Sequence, residues 1–112
     1  MPRPRRFRRV FFEPEVCLYK PAGIPANQLE FEVLMRDELE ALRLGDSMGL
    51  SQDEAARKMD VSQPTFHRIL SSARKKVSDA LVNGKAIRIE GGSYQMAYGL
   101  GRDRNRLRGG MR

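Results

Sequence analysis

The feature that most constrains this chain is a pair of helical patterns almost in contact, "SQDEAARKMD" and "SQPTFHRIL", which meet at Asp60, Val61 and Ser62. A connector of about three or four residues forces two helices to cross steeply, which is the geometry of a helix-turn-helix. Ser51 opens the first as a Ser-x-x-Glu capping box, its hydroxyl accepting from the Glu54 amide while the Glu54 side chain returns to the Ser51 amide. Ser62 is the expected N-cap of the second, with Pro64 in a first turn where a missing amide does no harm. Ala55, Met59, Val61, Phe66 and Ile69 fall where crossing helices must be apolar, and Ala56 supplies the small residue at their contact. Asp60 stands at the turn position that demands positive φ, which Asp tolerates better than most residues with a Cβ.

The rest of the chain is read around that unit. Phe66, Ile69, Leu70, Ala73, Val77, Ala80 and Leu81 carry an apolar stripe to about Val82, where Asn83 and Gly84 close the helix. Upstream, Leu29 to Leu50 reads as helical: Leu39, Leu42 and the Leu44/Gly45 region recur at helical spacing, acids fill the first turn, and Gly49 is the stop. "RVFFEPEVCLYKPAGIP" predicts one or two short strands and a turn, and "KAIRIE" another strand, ended by Gly91 and Gly92. Cys17, in the alternating "EVCLYK", is expected to be a packed thiol. The expected fold is mainly α: a winged-helix-like three-helix core with a small β element from the N-terminal region and residues 86–90. The expected organisation is a basic arm over residues 1–9, one helix-turn-helix domain over 10–94, and a Gly/Arg-rich flexible tail over 95–112.

Charge narrows the partners. The 112 residues carry a net charge of +7, and a basic balance of this size favours polyanions. It is unevenly spread: residues 30–62 hold four bases against nine acids, whereas residues 63–88 hold six bases against one acid. After the basic N-terminal segment, with six bases against two acids over residues 1–29, basic character therefore resumes with the second helix of the pair. One cysteine excludes an intramolecular disulfide, fits a reducing cytoplasm, and with one histidine offers no metal-ligand spacing. No apolar run reaches the roughly 18 residues that span a bilayer, so no membrane partner is expected. No catalytic set, Gly-rich phosphate loop or acid pair is visible; an enzyme is not expected, nor a cofactor.

In a helix-turn-helix, the first turns of the second helix enter the major groove. Residues 62–76 are then the recognition helix, with Gln63, Thr65, His67, Arg68 and Ser71 toward base edges. Arg68 can donate twice to guanine, Gln63 can pair with adenine, and Thr65 can meet a thymine methyl. Ser51, Gln52, Ser62, Arg74, Lys75 and Lys76 are the expected backbone contacts. Arg3, Arg5, Arg6, Arg8 and Arg9 form a candidate minor-groove arm, and Arg102, Arg104, Arg106 and Arg108 a weaker counterpart. The expected function is sequence-specific binding of double-stranded DNA by a transcriptional regulator; a homodimer is compatible with it because one reading helix covers few base pairs, although no heptad seam demands one. The rival reading is a protein-interaction module in which the acidic face of the first helix, Asp37, Glu38, Glu40 and Asp46, docks RNA polymerase or another partner.

The ordered motifs "MPRPRRFRRV", "FEPEV", "KPAGIP", "DELEALRL", "GLSQDEAARKMDVSQPTFHRIL" and "ARKKVSDALVNGKAIRIEGG" resemble a small uncharacterised prokaryotic family of predicted DNA-binding proteins. The resemblance extends from Met1 to about Tyr94, and the central unit is similar to region four of bacterial sigma factors. It implies a DNA-binding fold. Some members of that family carry an additional domain like those that handle nitrogenase iron-molybdenum cofactor, whereas this sequence continues into an Arg-rich tail. Met35 departs from the helix-capping Thr expected there, and Phe7 and Cys17 stand at variable positions.

Overall fold

The computed structural model describes residues 8–11, 17–92 and 94–96. Its described part is mainly helical. Helix α1 (Arg36–Ala41) begins after an extended Met35, whose amide donates to the Glu38 carboxylate at 2.9 Å. It continues as wider π-helical turns over Leu42–Ser47, closed by the Met48 amide on the Arg43 carbonyl at 2.8 Å. Helices α2 (Gln52–Met59) and α3 (Gln63–Asn83) follow. Asp60 joins them in the left-handed region (φ 60°, ψ 45°), as its place in the turn predicted. The Ser51 hydroxyl accepts from Glu54 N at 3.1 Å and the Ser62 hydroxyl from Thr65 N at 3.3 Å, so both N-caps form, but the return bond from the Glu54 side chain to the Ser51 amide expected of a capping box does not. Gly84, at φ 67°, ends α3.

Five short strands complete the described part: β1 (Arg8–Val10), β2 (Leu18–Tyr19), β3 (Phe31–Leu34), β4 (Ala86–Ile89) and β5 (Tyr94–Met96). The three-stranded sheet has the order β2-β4-β3, with β2 antiparallel and β3 parallel to β4. Strands β1 and β5 pair in parallel as a separate ribbon. Two buried clusters hold the layers together. Ala41, Leu44, Ala55, Ala56, Met59, Phe66, Ile69 and Leu70 pack the helices against one another, while Leu34, Ala73 and Ile89 seat the sheet on α3. Gly45 lies against the first cluster, where a Cβ would stand in ordinary contact, 3.4 Å from Phe66 Cζ and 3.5 Å from Leu70 Cδ2.

Several expectations require correction. The segment read as helical from Leu29 begins instead with strand β3, because "FEVL" pairs in register with "AIRI" and buries Leu34 against Ile89. Leu81 belongs to no core stripe: it and Val82 are 76% and 81% exposed, since α3 there runs past the buried clusters. Cys17 is exposed, next to a two-residue edge strand that leaves Leu18 and Tyr19 exposed as well. Arg8 and Arg9 lie in β1 rather than in an arm, and Gln95 and Met96 lie in β5 rather than in the tail. Arg3, Arg5, Arg6, Arg102, Arg104, Arg106 and Arg108 fall outside the described residues.

Candidate nucleic-acid interface

At about 100° per residue, Gln63, His67, Arg68, Ser71, Arg74 and Lys75 fall on the side of α3 opposite Ile69, Ala73 and Ala80. All six are exposed, whereas the other three are buried. Gln63, His67 and Arg74 share one row, spaced four and seven residues apart along the helix. Thr65 is half-buried at the margin of this face. Ser51 and Gln52 are exposed at the start of α2, as is Ser62 before α3.

The first turn of α3 is internally braced. The Ser62 hydroxyl donates to Thr65 Oγ1 at 3.0 Å, and Arg68 Nη2 donates to the same oxygen at 3.2 Å. Arg68 is thereby tied to the N-cap while most of its five donors stay available. Arg74 is held differently: its Nε and Nη2 donate to the two carboxylate oxygens of Asp46 at 3.1 and 2.6 Å. This fork keeps the Asp46 carboxyl below the ordinary carboxylate range and raises the guanidinium. Lys75 has no hydrogen-bond or ion-pair partner among the described residues.

Lys76 does not join that face. Its Nζ donates to the Val33 carbonyl at 2.8 Å and to Glu38 Oε1 at 2.9 Å, and its side chain is only 24% exposed. The reason is angular: Lys76 lies about 20° around the helix from buried Ile69, not near Lys75. It is a structural cation, and the expected backbone contact is withdrawn.

The acidic face of the rival reading is likewise absent. Asp37, Glu38 and Glu40 are 5%, 6% and 1% exposed. Glu38 Oε2 accepts from Ser72 at 2.6 Å, which with Lys76 fastens α1 to α3. Glu40 accepts from Arg43 Nε and Nη2 at 2.9 Å each, and from the Phe11 amide at 2.9 Å. Asp37 accepts from the Glu38 amide and faces Arg8 Nε at 3.9 Å; burial pushes its carboxyl up, and the Arg8 charge opposes that shift. These acids hold strand β1 and helix α3 to α1. Of the four, only Asp46 is exposed, and it is occupied by Arg74.

The Ser62 cap was readable from the sequence, whereas the links from Ser62 to Thr65 and from Thr65 to Arg68 were not anticipated, although the three recur every third residue. The Asp46–Arg74 pair was not readable, because its members are 28 residues apart and meet only through the crossing of the helices. No group of His, Cys, Asp and Glu among the described residues is arranged to hold a metal ion. No described helix is long and apolar enough to cross a membrane.

Residues 1–97 match the model of a family described as protein of unknown function DUF134. The chain belongs to this family. Among curated proteins it is 55% identical over 112 residues to a UPF0251 protein of Caldanaerobacter subterraneus subsp. tengcongensis, covering all of this chain and 92% of that one. A UPF0251 protein of Moorella thermoacetica is 59% identical over 96 residues, which is 86% of this chain and 64% of the relative. A UPF0251 protein of Dehalococcoides mccartyi is 57% identical over 96 residues, covering 86% and 82%. No solved structure matches the chain.

Proposed function

We propose that this protein is a helix-turn-helix regulator of transcription, similar in its central unit to sigma factor region four, that binds specific duplex DNA with residues 62–76. The observation that carries the reading is the exposed face of α3, where Gln63, His67, Arg68, Ser71, Arg74 and Lys75 stand together on a rigid helix capped by Ser62. Such a face combines donors and acceptors suited to base edges with cations suited to phosphates. The sharp α2–α3 connection through left-handed Asp60 supports the same reading. Neutralisation of the buried acids by the protein's own groups supports it too, because it removes the negative surface that docking to a basic protein partner required. Ser51, Gln52 and Ser62 supply neutral hydroxyl and amide groups for the DNA backbone, and a homodimer is the form that matches paired half-sites.

The test is selection of bound duplexes from a random pool, followed by titration of the best duplex and a scrambled one across a salt series. A recovered motif with a preference of about a thousandfold or more is the expected result. Binding that falls steeply with salt and ignores sequence overturns base reading and leaves only phosphate contact.

A further inference from the structure

Arg74 shares its helical row with Gln63 and His67, yet among the described residues it is the one cation of the exposed α3 face that faces a carboxylate. Asp46 is placed there by the π-helical turns of Leu42–Ser47, whose wider winding shifts the phase of the residues behind Leu42. The pair is about half-exposed, with side chains 53% and 41% accessible, so it stands at the surface where a duplex is proposed to lie. It makes no contribution to the core.

We infer that Asp46 is a specificity-determining residue, which suppresses contact with arbitrary duplexes by neutralising and orienting Arg74. This inference rests on the DNA-reading proposal above. Two effects separate right from wrong sequences. The Arg74–Asp46 pair carries no net charge, although the guanidinium keeps its own, so the pair releases few counterions and adds little to binding that depends only on phosphates. Asp46 itself repels phosphates that approach in any unintended register. On the intended duplex, the fork occupies Nε and one Nη2 hydrogen, leaving the two Nη1 hydrogens and the second Nη2 hydrogen fixed in direction. A fixed donor edge retains its contribution when its acceptor sits in the matching position, because less side-chain freedom is lost on binding. Asp46 therefore acts as a positioning residue, whereas Arg74 makes the contact.

The experiment measures binding of wild type, Asp46→Asn, Arg74→Ala and the double variant to the best selected duplex and to a scrambled duplex. Asp46→Asn is expected to tighten the scrambled complex roughly three- to fivefold, the range open to an exposed ion pair, and to steepen its salt dependence. The selected complex should tighten by less, so that the preference narrows. In the Arg74→Ala background, the orienting part of the effect should vanish. Equal change on both duplexes, or no change on either, overturns the inference while leaving wild-type preference intact. A wild type with no preference overturns the DNA-reading proposal and the inference together. Circular dichroism and a thermal melt of each variant establish that the changes are not losses of fold.

Discussion

Lys76 Nζ and Glu38 Oε1 meet at 2.9 Å between helices α3 and α1, and Ser72 donates to the other Glu38 oxygen. Removal of the cation leaves a carboxylate that is 8% exposed at its side chain without its charge partner. Lys76→Met is expected to cost about 2–3 kcal/mol, below the full range for a deeply buried pair because Lys76 retains partial access to water. Urea unfolding should show a lower midpoint at an unchanged slope. The folded variant should keep the wild-type salt dependence of DNA binding; a slope lower by about one would return Lys76 to the phosphate contacts.

Arg68 is braced by Thr65 at the first turn of α3, the helix proposed to read DNA. Arg68→Ala should weaken the selected duplex by about 1–3 kcal/mol and relax one base position. Lys75→Ala should weaken all duplexes alike. A repeated selection with each variant checks both, and equal losses on every sequence from Arg68→Ala would remove it from the base readers.

Gly91 and Gly92 separate two costs of adding a side chain. Both have positive φ, 74° and 98°, but a Cβ at Gly91 meets nothing within 4 Å. At Gly92 it would lie 2.7 Å from Asp37 Oδ1 and 2.8 Å from Met35 Cβ. Gly91→Ala should therefore cost about 1–2 kcal/mol through backbone conformation alone, and Gly92→Ala more. Thermal melts decide the order; equal costs would mean that the start of α1 yields freely.

Asp79 carries the clearest pH signature. Its carboxyl is lowered from 3.8 to about 2 by hydrogen bonding with Glu32, and next by Lys85 and Asn83. Because the folded value lies below the unfolded one, the stabilisation that Asp79 draws from Lys85 and Asn83 is present above about pH 4 and is lost as pH falls toward about 2, whereas Glu32, ionised with Asp79 at the upper end, shares no proton with it there. Carbon-detected NMR titration should place the Asp79 midpoint near 2, and Lys85→Met should raise it. A wild-type midpoint at the ordinary value would dissolve the network.

The α2–α3 unit was legible because its determinants are local: caps at Ser51 and Ser62, the turn at Asp60, and the Ala55, Met59, Phe66 and Ile69 pattern all act within a few residues. Strand β3 was not, since "FEVL" precedes a helix start without a glycine or proline between them and is defined by its distant partner β4. The acids of "DELEAL" misled for the opposite reason. Carboxylates at the start of a helix ordinarily face water, and only tertiary partners such as Arg8, Phe11, Ser72 and Lys76 make their burial tolerable. The exposed α3 face followed from periodicity, which also turns Lys76 away from it, but the Glu38 that Lys76 meets was not legible because the two are 38 residues apart.

The parallel ribbon in which Arg8 pairs with Tyr94 and Val10 with Met96 sets an order of events during synthesis. A ribosome delivers Arg8 long before Tyr94, so the earliest strand waits beside a helical body already able to assemble from neighbouring segments. Its partner arrives only after β4 has left the exit tunnel. Closure of the ribbon is thus the last pairing open to the described strands, a seal that records that everything between has been made.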